Sequence, residues 1–236
     1  MCGVSKRFRD ADYTVPKYVL DVDGMPMYAA AVKCLKLTVE HQLIFVVNSL
    51  ISAEYNLKNN IRLHFPDAQI IELVNPTQGM AETVMKTRQH LDYLDRGSLV
   101  LCCDQLIEYD SVAYNKMLES PHIAGSLLTF HDDSRDPKWT YARIDLIEQI
   151  TNVACKLPIS DTPIVGIYHW ASSEWMYRDI VRTIKQDIRT NGEFYLCNSA
   201  AVSIENANKP WRAFHVDRMI PLGTPEDYEA YTNNNI

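Results

Sequence analysis

Short runs of consecutive apolar residues, each closed by polar or turn-forming residues, mark the first half of the chain. Leu43–Val47 (L-I-F-V-V) and Ser98–Cys103 (S-L-V-L-C-C) are the clearest, with Gln69–Leu73 predicted as the strand between them. A continuous apolar run of this length predicts a strand buried on both faces. Helical segments are predicted between them. Pro26-Met27 opens an Ala-rich stretch through Lys36, with the proline where a first helical turn tolerates it. Tyr55–Leu63 and Tyr109–Glu119 are predicted helical, and Met80–Leu94 carries Val84, Leu91 and Leu94 on a rough helical face. Tyr18–Val22 is predicted extended and closes on a turn at Asp23-Gly24, while Thr77–Met80 is predicted to be a loop. Strands alternating with helices over residues 1–130 predict an α/β chain whose sheet is mostly parallel and covered on both faces.

Past residue 130 the pattern changes. After a strand predicted at Gly125–Phe130, strands are predicted at Trp139–Asp145, which shows partial alternation, and at Gln149–Lys156, Ile164–Trp170 and Trp211–Val216, and this half is more antiparallel in character. Helices are predicted at Ser173–Asp187, with Ser172 or Ser173 as N-cap, at Asn198–Ala207 and at Pro225–Tyr231. The terminal T-N-N-N-I is expected to fray. With no internal repeat, low-complexity segment or long linker, one domain over residues 1–236 is expected.

Composition narrows the class. Of the 236 residues 47% are hydrophobic and 22% charged, as in an ordinary globular protein. The net charge of −7 argues against a nucleic-acid partner, so any cationic anion site must be local. The six cysteines form no C-x-x-C pair and have no histidine at zinc-ligand spacing, so reduced thiols are expected, with Cys102 and Cys103 as small buried hydrophobes. The lack of a signal peptide or membrane-spanning run leads to the expectation of a cytoplasmic protein.

Four stretches can carry chemistry. The opening M-C-G-V-S-K-R is a small-residue loop followed by cations, and Pro16-Lys17 adds another; free backbone N–H groups beside Lys and Arg suit a polyphosphate. Gln78-Gly79 and Asp104 each follow an apolar strand, where open α/β sheets bind ligands. Asn191-Gly192-Glu193 and Gly223-Thr224-Pro225 complete the set. Taken alone, each has a plain reading: Arg7, Lys17 and Lys156 as solvated charges, Asp104 as a helix N-cap, Asp21 and Asp23 as turn formers, and Tyr168, His169, Trp170 and His215 as packing or structural residues.

Together these motifs resemble the sugar-phosphate nucleotidyltransferases, in particular a capsule-biosynthesis branch. The resemblance rests on Gly3-Val4-Ser5-Lys6-Arg7 with Pro16-Lys17, Asp21–Met27, Thr77–Val84 (T-Q-G-M-A-E-T-V) and Cys103–Gln105. It continues through Pro137–Arg143, Lys156–Tyr168, Asn191–Tyr195 and Leu222–Asp227. It implies a three-layer, Rossmann-like nucleotide-diphospho-sugar transferase (GT-A-type) fold with a mixed, mostly parallel central sheet. Residues 1–130 would form a nucleotide-binding half and residues 131–236 an acceptor-binding half. The implied reaction is attack by a sugar phosphate, or a similar phosphorylated acceptor, on the α-phosphorus of a nucleoside triphosphate with loss of pyrophosphate, for surface-polysaccharide precursors.

Residue by residue, the resemblance implies Arg7 and Lys17 as catalytic groups. Gly3, Ser5, Gln78 and Gly79 would bind the nucleotide, with the Gln78 amide offering the base both donor and acceptor. Lys156, Gly166, Tyr168, Asn191 and Glu193 would face the acceptor, and Asp104 would bind Mg²⁺. A second metal carboxylate is expected near Pro221-Leu222, which holds no acid; Asp217 and Glu193 are the nearest candidates. Two departures stand out. Ser5 occupies a family glycine, and the apolar strand expected before the loop does not precede it, which leaves open an upstream start or a truncated, impaired member. A GT-A glycosyltransferase and a non-catalytic nucleotide-binding homologue are the alternatives, and the aromatic second half leaves a homo-oligomer open.

Overall fold

The computed structural model describes residues 1–3, 5–91 and 95–234. Val4 of the opening loop, Leu94 of the Met80–Leu94 face and Asn235-Ile236 of the tail lie outside the described residues. In chain order the elements begin α1 (Lys6–Asp10), β1 (Asp21–Val22), β2 (Met25–Pro26), α2 (Met27–Lys33), β3 (Ile44–Asn48), α3 (Ser49–Glu54), α4 (Leu57–His64) and β4 (Gln69–Leu73). Next come α5 (Met80–Met85), β5 (Ser98–Leu101), β6 (Gln105–Glu108), α6 (Ser111–Leu118), β7 (Gly125–Thr129), β8 (Thr140–Ile144), β9 (Ile150–Cys155) and β10 (Ile164–Trp170). The last are α7 (Ser173–Lys185), α8 (Leu196–Asn206), β11 (Trp211–His215), β12 (Arg218–Pro221) and α9 (Pro225–Asn234).

The chain divides into two compact units. The first comprises Met1–Pro76, Cys102–Glu108 and Arg218–Ile236; the second comprises Thr77–Leu101 and Tyr109–Asp217. In the first, β3 and β4 pair in parallel from Ile44↔Gln69 to Asn48↔Leu73. Their apolar side chains bury Phe45 and Val47 against Tyr28, Leu57 and Ile61. Tyr28 meets Phe45 edge-on, with ring centroids 5.6 Å apart. Each such fully buried side chain contributes about 1.5–3 kcal/mol. A second ribbon in this unit pairs β6 with β12 antiparallel, with Gln105 opposite Pro221 and Arg218 opposite Glu108. It packs with α2 and α9 around Val22, Met27 and Leu222.

The second unit is built on a four-stranded sheet in the order β11-β7-β10-β5. β11 is parallel to β7, while β10 runs antiparallel to both β7 and β5, so three of the four strands point the same way. This is the mixed α/β architecture expected from the sequence. Trp170 and Trp211 meet edge-to-face at 5.0 Å in its core. The amphipathic α7 buries Met176, Tyr177 and Ile180 at helical spacing.

Several elements differ from the sequence expectation. The helix expected at Tyr55–Leu63 is α4, and it begins only at Leu57 because Asn56 before it turns left-handed (φ 51°); α3 is a further helix that the sequence reading did not place. The side chain of Asn48 caps α3 by accepting from the Leu50 and Ile51 N–H groups. The Met80–Leu94 helix stops at Met85, followed by a 3₁₀ turn over Arg88–His90. The Ser98–Cys103 strand stops at Leu101, where the Gln105 side chain donates to the Cys102 carbonyl at 2.6 Å. Cys102 and Cys103 are half-buried rather than enclosed. The chain re-enters sheet at β6, whose polar ends hide it from a hydrophobicity reading. The last helix runs past Tyr231, with α9 continuing through Asn234. Finally, Cys155 and Cys197 form a disulfide across the contact between β9 and α8, so the expectation of six reduced thiols does not hold.

Candidate functional site

In the first unit the opening loop folds back onto Pro16-Lys17. Ser5 adopts the left-handed conformation (φ 51°, ψ 41°) that a glycine would take without strain, at a cost of about 1 kcal/mol. Its hydroxyl accepts a hydrogen bond from the Lys17 backbone N–H at 3.1 Å, a contact glycine cannot make. The substitution therefore keeps the backbone shape of the loop and adds a tie to the lysine. Pro16 is extended, and the chain turns into a short 3₁₀ segment at Lys17.

That turn directs Lys17 to Asp104, with Nζ donating to Oδ2 at 2.5 Å. The two side chains are only 23% and 25% exposed. Burial alone would lower the pKa of the Lys17 ammonium; the negative charge and hydrogen bond of Asp104 outweigh it and raise the pKa above the usual lysine value. Asp104 is held by its backbone, whose carbonyl accepts from Leu222 N–H at 2.9 Å. A Cβ at Gly223 would lie 3.2 Å from Asp104 Oδ2, so the lack of a side chain there keeps the carboxylate open on that flank. Thr224 then caps α9, its hydroxyl accepting from Asp227 N–H at 3.1 Å. The L-G-T-P-E-D motif thus consists of a carboxylate-facing glycine followed by a helix cap. Burial pushes the neighbouring Cys102 thiol up to about 12, so Cys102 adds no negative charge at neutral pH.

Arg7 lies exposed on α1 with Glu226 in electrostatic reach, and Gly3 is exposed with nothing crowding its Cα. Asp104 fits a hard cation as a single carboxylate with an open flank, the donor set that Mg²⁺ completes with phosphate oxygens and waters. The segment expected to bring a second acid does lie beside Asp104, but it consists of Pro221, Leu222 and Gly223. Arg218, the residue after Asp217, pairs with Glu108 at the opposite end of that ribbon. Among the described residues the three-group ligand cluster is His131, Asp133 and Asp161, which is exposed and does not include Asp104.

In the second unit Gln78-Gly79 precedes α5. Gly79 has φ 136°, and a Cβ there would lie 2.6 Å from the Phe194 carbonyl oxygen, so only glycine fits. The loop is zipped to Phe194: its N–H donates to the Gln78 carbonyl at 2.8 Å, and Ala81 N–H donates to its carbonyl at 3.0 Å. Arg189, which the sequence reading passed over, donates from Nη2 to Gln78 Oε1 at 2.8 Å. The amide oxygen expected to face a ligand is therefore already engaged. The only signal in the sequence was a cation two residues before Asn191-Gly192-Glu193.

The remaining second-unit candidates separate. Asn191 and Glu193 are exposed on a tight turn closed by paired Thr190–Glu193 backbone hydrogen bonds of 3.0 Å. Lys156, left-handed at φ 58°, donates from Nζ to the Lys138 carbonyl. Gly166 (φ 91°) sits at the register shift in β10. Tyr168 is buried in the core, stacked near Trp170. His215 bridges Thr129 and Glu148 at 2.9 and 3.1 Å, in keeping with the structural role expected of it.

No protein-family model matches the chain, and no curated protein does. Solved structures do. A nucleoside-diphosphate-sugar pyrophosphorylase from Vibrio cholerae RC9 is similar at 23% identity and a TM-score of 0.79, over 99% of this chain and 98% of that one. UDP-glucose pyrophosphorylase complexed with UDP-glucose is similar at 14% identity and a TM-score of 0.75, covering 99% and 95%. The inositol-1-phosphate CTP transferase from T. maritima gives 14% and 0.73, covering 96% and 88%. At these identities the likeness establishes the fold. No helix among the described residues is long and apolar enough to cross a membrane.

Proposed function

We propose that this protein is a nucleotidyltransferase that joins a nucleoside monophosphate, taken from a triphosphate, to a sugar phosphate or similar phosphorylated acceptor. The observation that carries the reading is the Lys17–Asp104 pair at 2.5 Å beside Gly223, in a chain whose fold is similar to pyrophosphorylases. An acceptor phosphate oxygen attacks the α-phosphorus; a new P–O bond forms, the α–β anhydride bond breaks, and pyrophosphate leaves. Such transfers depend on positioning and charge stabilisation more than on covalent help from the protein. Lys17 exchanges part of its bond to Asp104 for the charge developing on the α-phosphate. Arg7 holds the outer phosphates. Gln78 and Gly79 take the base, and Lys156, Gly166, Tyr168, Asn191 and Glu193 belong to the acceptor side. Asp104 would hold Mg²⁺, which when bound neutralises phosphate charge. Surface-polysaccharide precursors are the products this reading assigns.

The test is to incubate the protein with each triphosphate, Mg²⁺ and a panel of sugar phosphates and to follow pyrophosphate. Release that depends on the sugar phosphate is expected. Lys17→Ala and Asp104→Ala should each lower turnover at least about 100-fold, the usual cost of one charge-stabilising contact. Consumption of a nucleotide-sugar without pyrophosphate would instead indicate a glycosyltransferase. A near-wild-type rate in either variant would remove that residue from the mechanism.

A further inference from the structure

The guanidinium of Arg189 is pinned from several directions. Nε donates to Asp187 Oδ1 at 2.6 Å, Nη1 to the Gly192 carbonyl at 2.9 Å, and Nη2 to Gln78 Oε1 at 2.8 Å. Its central carbon lies 3.7 Å from the centroid of the buried Phe194 ring. The left-handed residues Asp187 and Asn191 and the positive φ of Gly192 bend the chain around this stack. A guanidinium has donors only, so the end of the Gln78 amide that faces it must be the oxygen. The rest of Gln78 is also committed: its backbone N–H donates to Glu82 Oε2 at 2.6 Å, and its carbonyl accepts from Phe194. What Gln78 offers outward is the Nε2 amide, which no described residue accepts from.

We propose that Arg189 is a positioning residue that fixes the face Gln78 shows to the base, so that the protein selects keto-base triphosphates over amino-base ones. This rests on the reading of Gln78 as a base contact. A free glutamine amide can rotate to meet either a keto oxygen or an amino group. Clamped by Arg189, it presents N–H alone. The exocyclic oxygen of uracil, thymine or guanine accepts from it, whereas the amino group of cytosine or adenine sets donor against donor. Arg189 touches neither base nor phosphate in this scheme; it acts through Gln78.

The experiment measures equilibrium binding of UTP, GTP, CTP and ATP, and in parallel pyrophosphate release with sugar phosphates, for wild type, Arg189→Leu and Gln78→Glu. Wild type is expected to bind UTP about tenfold more tightly than CTP, the scale of one matched hydrogen bond against a mismatched one. Arg189→Leu frees the amide to turn, and the ratio should fall below about threefold. Gln78→Glu leaves an acceptor only, and the preference should shift towards CTP and ATP. If Arg189→Leu weakens all four nucleotides in proportion, Arg189 is merely structural and the proposal fails. A wild-type preference for CTP or ATP also overturns it. Selective binding that follows the variants as expected, without pyrophosphate release, would uphold this inference and refute the proposed reaction. Failure of any triphosphate to bind would refute both.

Discussion

Replacing Asp104 with asparagine keeps the shape of the side chain and removes its charge, leaving Lys17 as a cation with 23% of its side chain exposed and no counter-ion at Oδ2. Exposed ion pairs contribute about 0–1 kcal/mol, whereas breaking a fully buried one costs about 3–5. With both partners about three-quarters covered, the loss should be about 2 kcal/mol, or roughly 4–8 °C in Tm for a chain of this size. The pH dependence gives the sharper test. In the wild type Asp104 holds the Lys17 pKa above the ordinary 10.5 despite burial. The pair's stabilisation is therefore full below the unfolded-state pKa and is lost as pH rises through the folded one. In Asp104→Asn the burial that lowers the Lys17 pKa loses its main opponent, so the variant gains stability as pH rises towards the unfolded-state value, and the wild type then loses its pair stabilisation above that value. The Tm gap should narrow above about pH 10. Adding Lys17→Met to Asp104→Asn removes the stranded cation and should recover most of the loss. Thermal unfolding of the three proteins from neutral to alkaline pH measures all of this. An Asp104→Asn Tm equal to wild type at neutral pH, or a double variant no more stable than the single, would refute the reasoning.

Burial pushes the His169 imidazole down to about 4, so the folded state resists a proton that the unfolded state takes up near pH 6.5. Stability should fall as pH drops from about 6.5 towards 4, by roughly 3 kcal/mol at most, and His169→Gln should flatten that limb of the urea-unfolding profile. Gly79→Ala places a methyl 2.6 Å from the Phe194 carbonyl at a φ of 136°, and should cost about 2 kcal/mol or more and shift proteolysis at the Gln78 loop. Alkylation of the unfolded protein followed by mass spectrometry should label Cys2, Cys34, Cys102 and Cys103 before reduction and all six cysteines after it.

What could be read from the chain followed the scale of the forces involved. Ile164–Trp170 was placed to the residue because near-continuous burial leaves a mostly apolar run, and Gln69–Leu73 because β-branched Ile70 and Ile71 sit in a short segment of strand length. β12 was missed because R-M-I-P has neither alternation nor length, and its pairing with β6 spans more than a hundred residues of chain. Lys17 and Asp104 stood out as motif members, but their contact depends on two ties made by residues remote in the chain, the Ser5 hydroxyl to the Lys17 N–H and the Leu222 N–H to the Asp104 carbonyl. The Cys155–Cys197 pairing, at a separation of 42, is fixed by the seat of α8 against β9 and has no local signature. Arg189 is the instructive case. Its separation of 111 residues from Gln78 hides the clamp, yet each neighbour that pins it — Asp187, Gly192 and Phe194 — lies within five residues in the chain. A short segment with three positive φ angles, a cation and an aromatic ring is built to hold that cation still. The sequence displays those ingredients; only the fold reveals that the group held still for is the amide of Gln78.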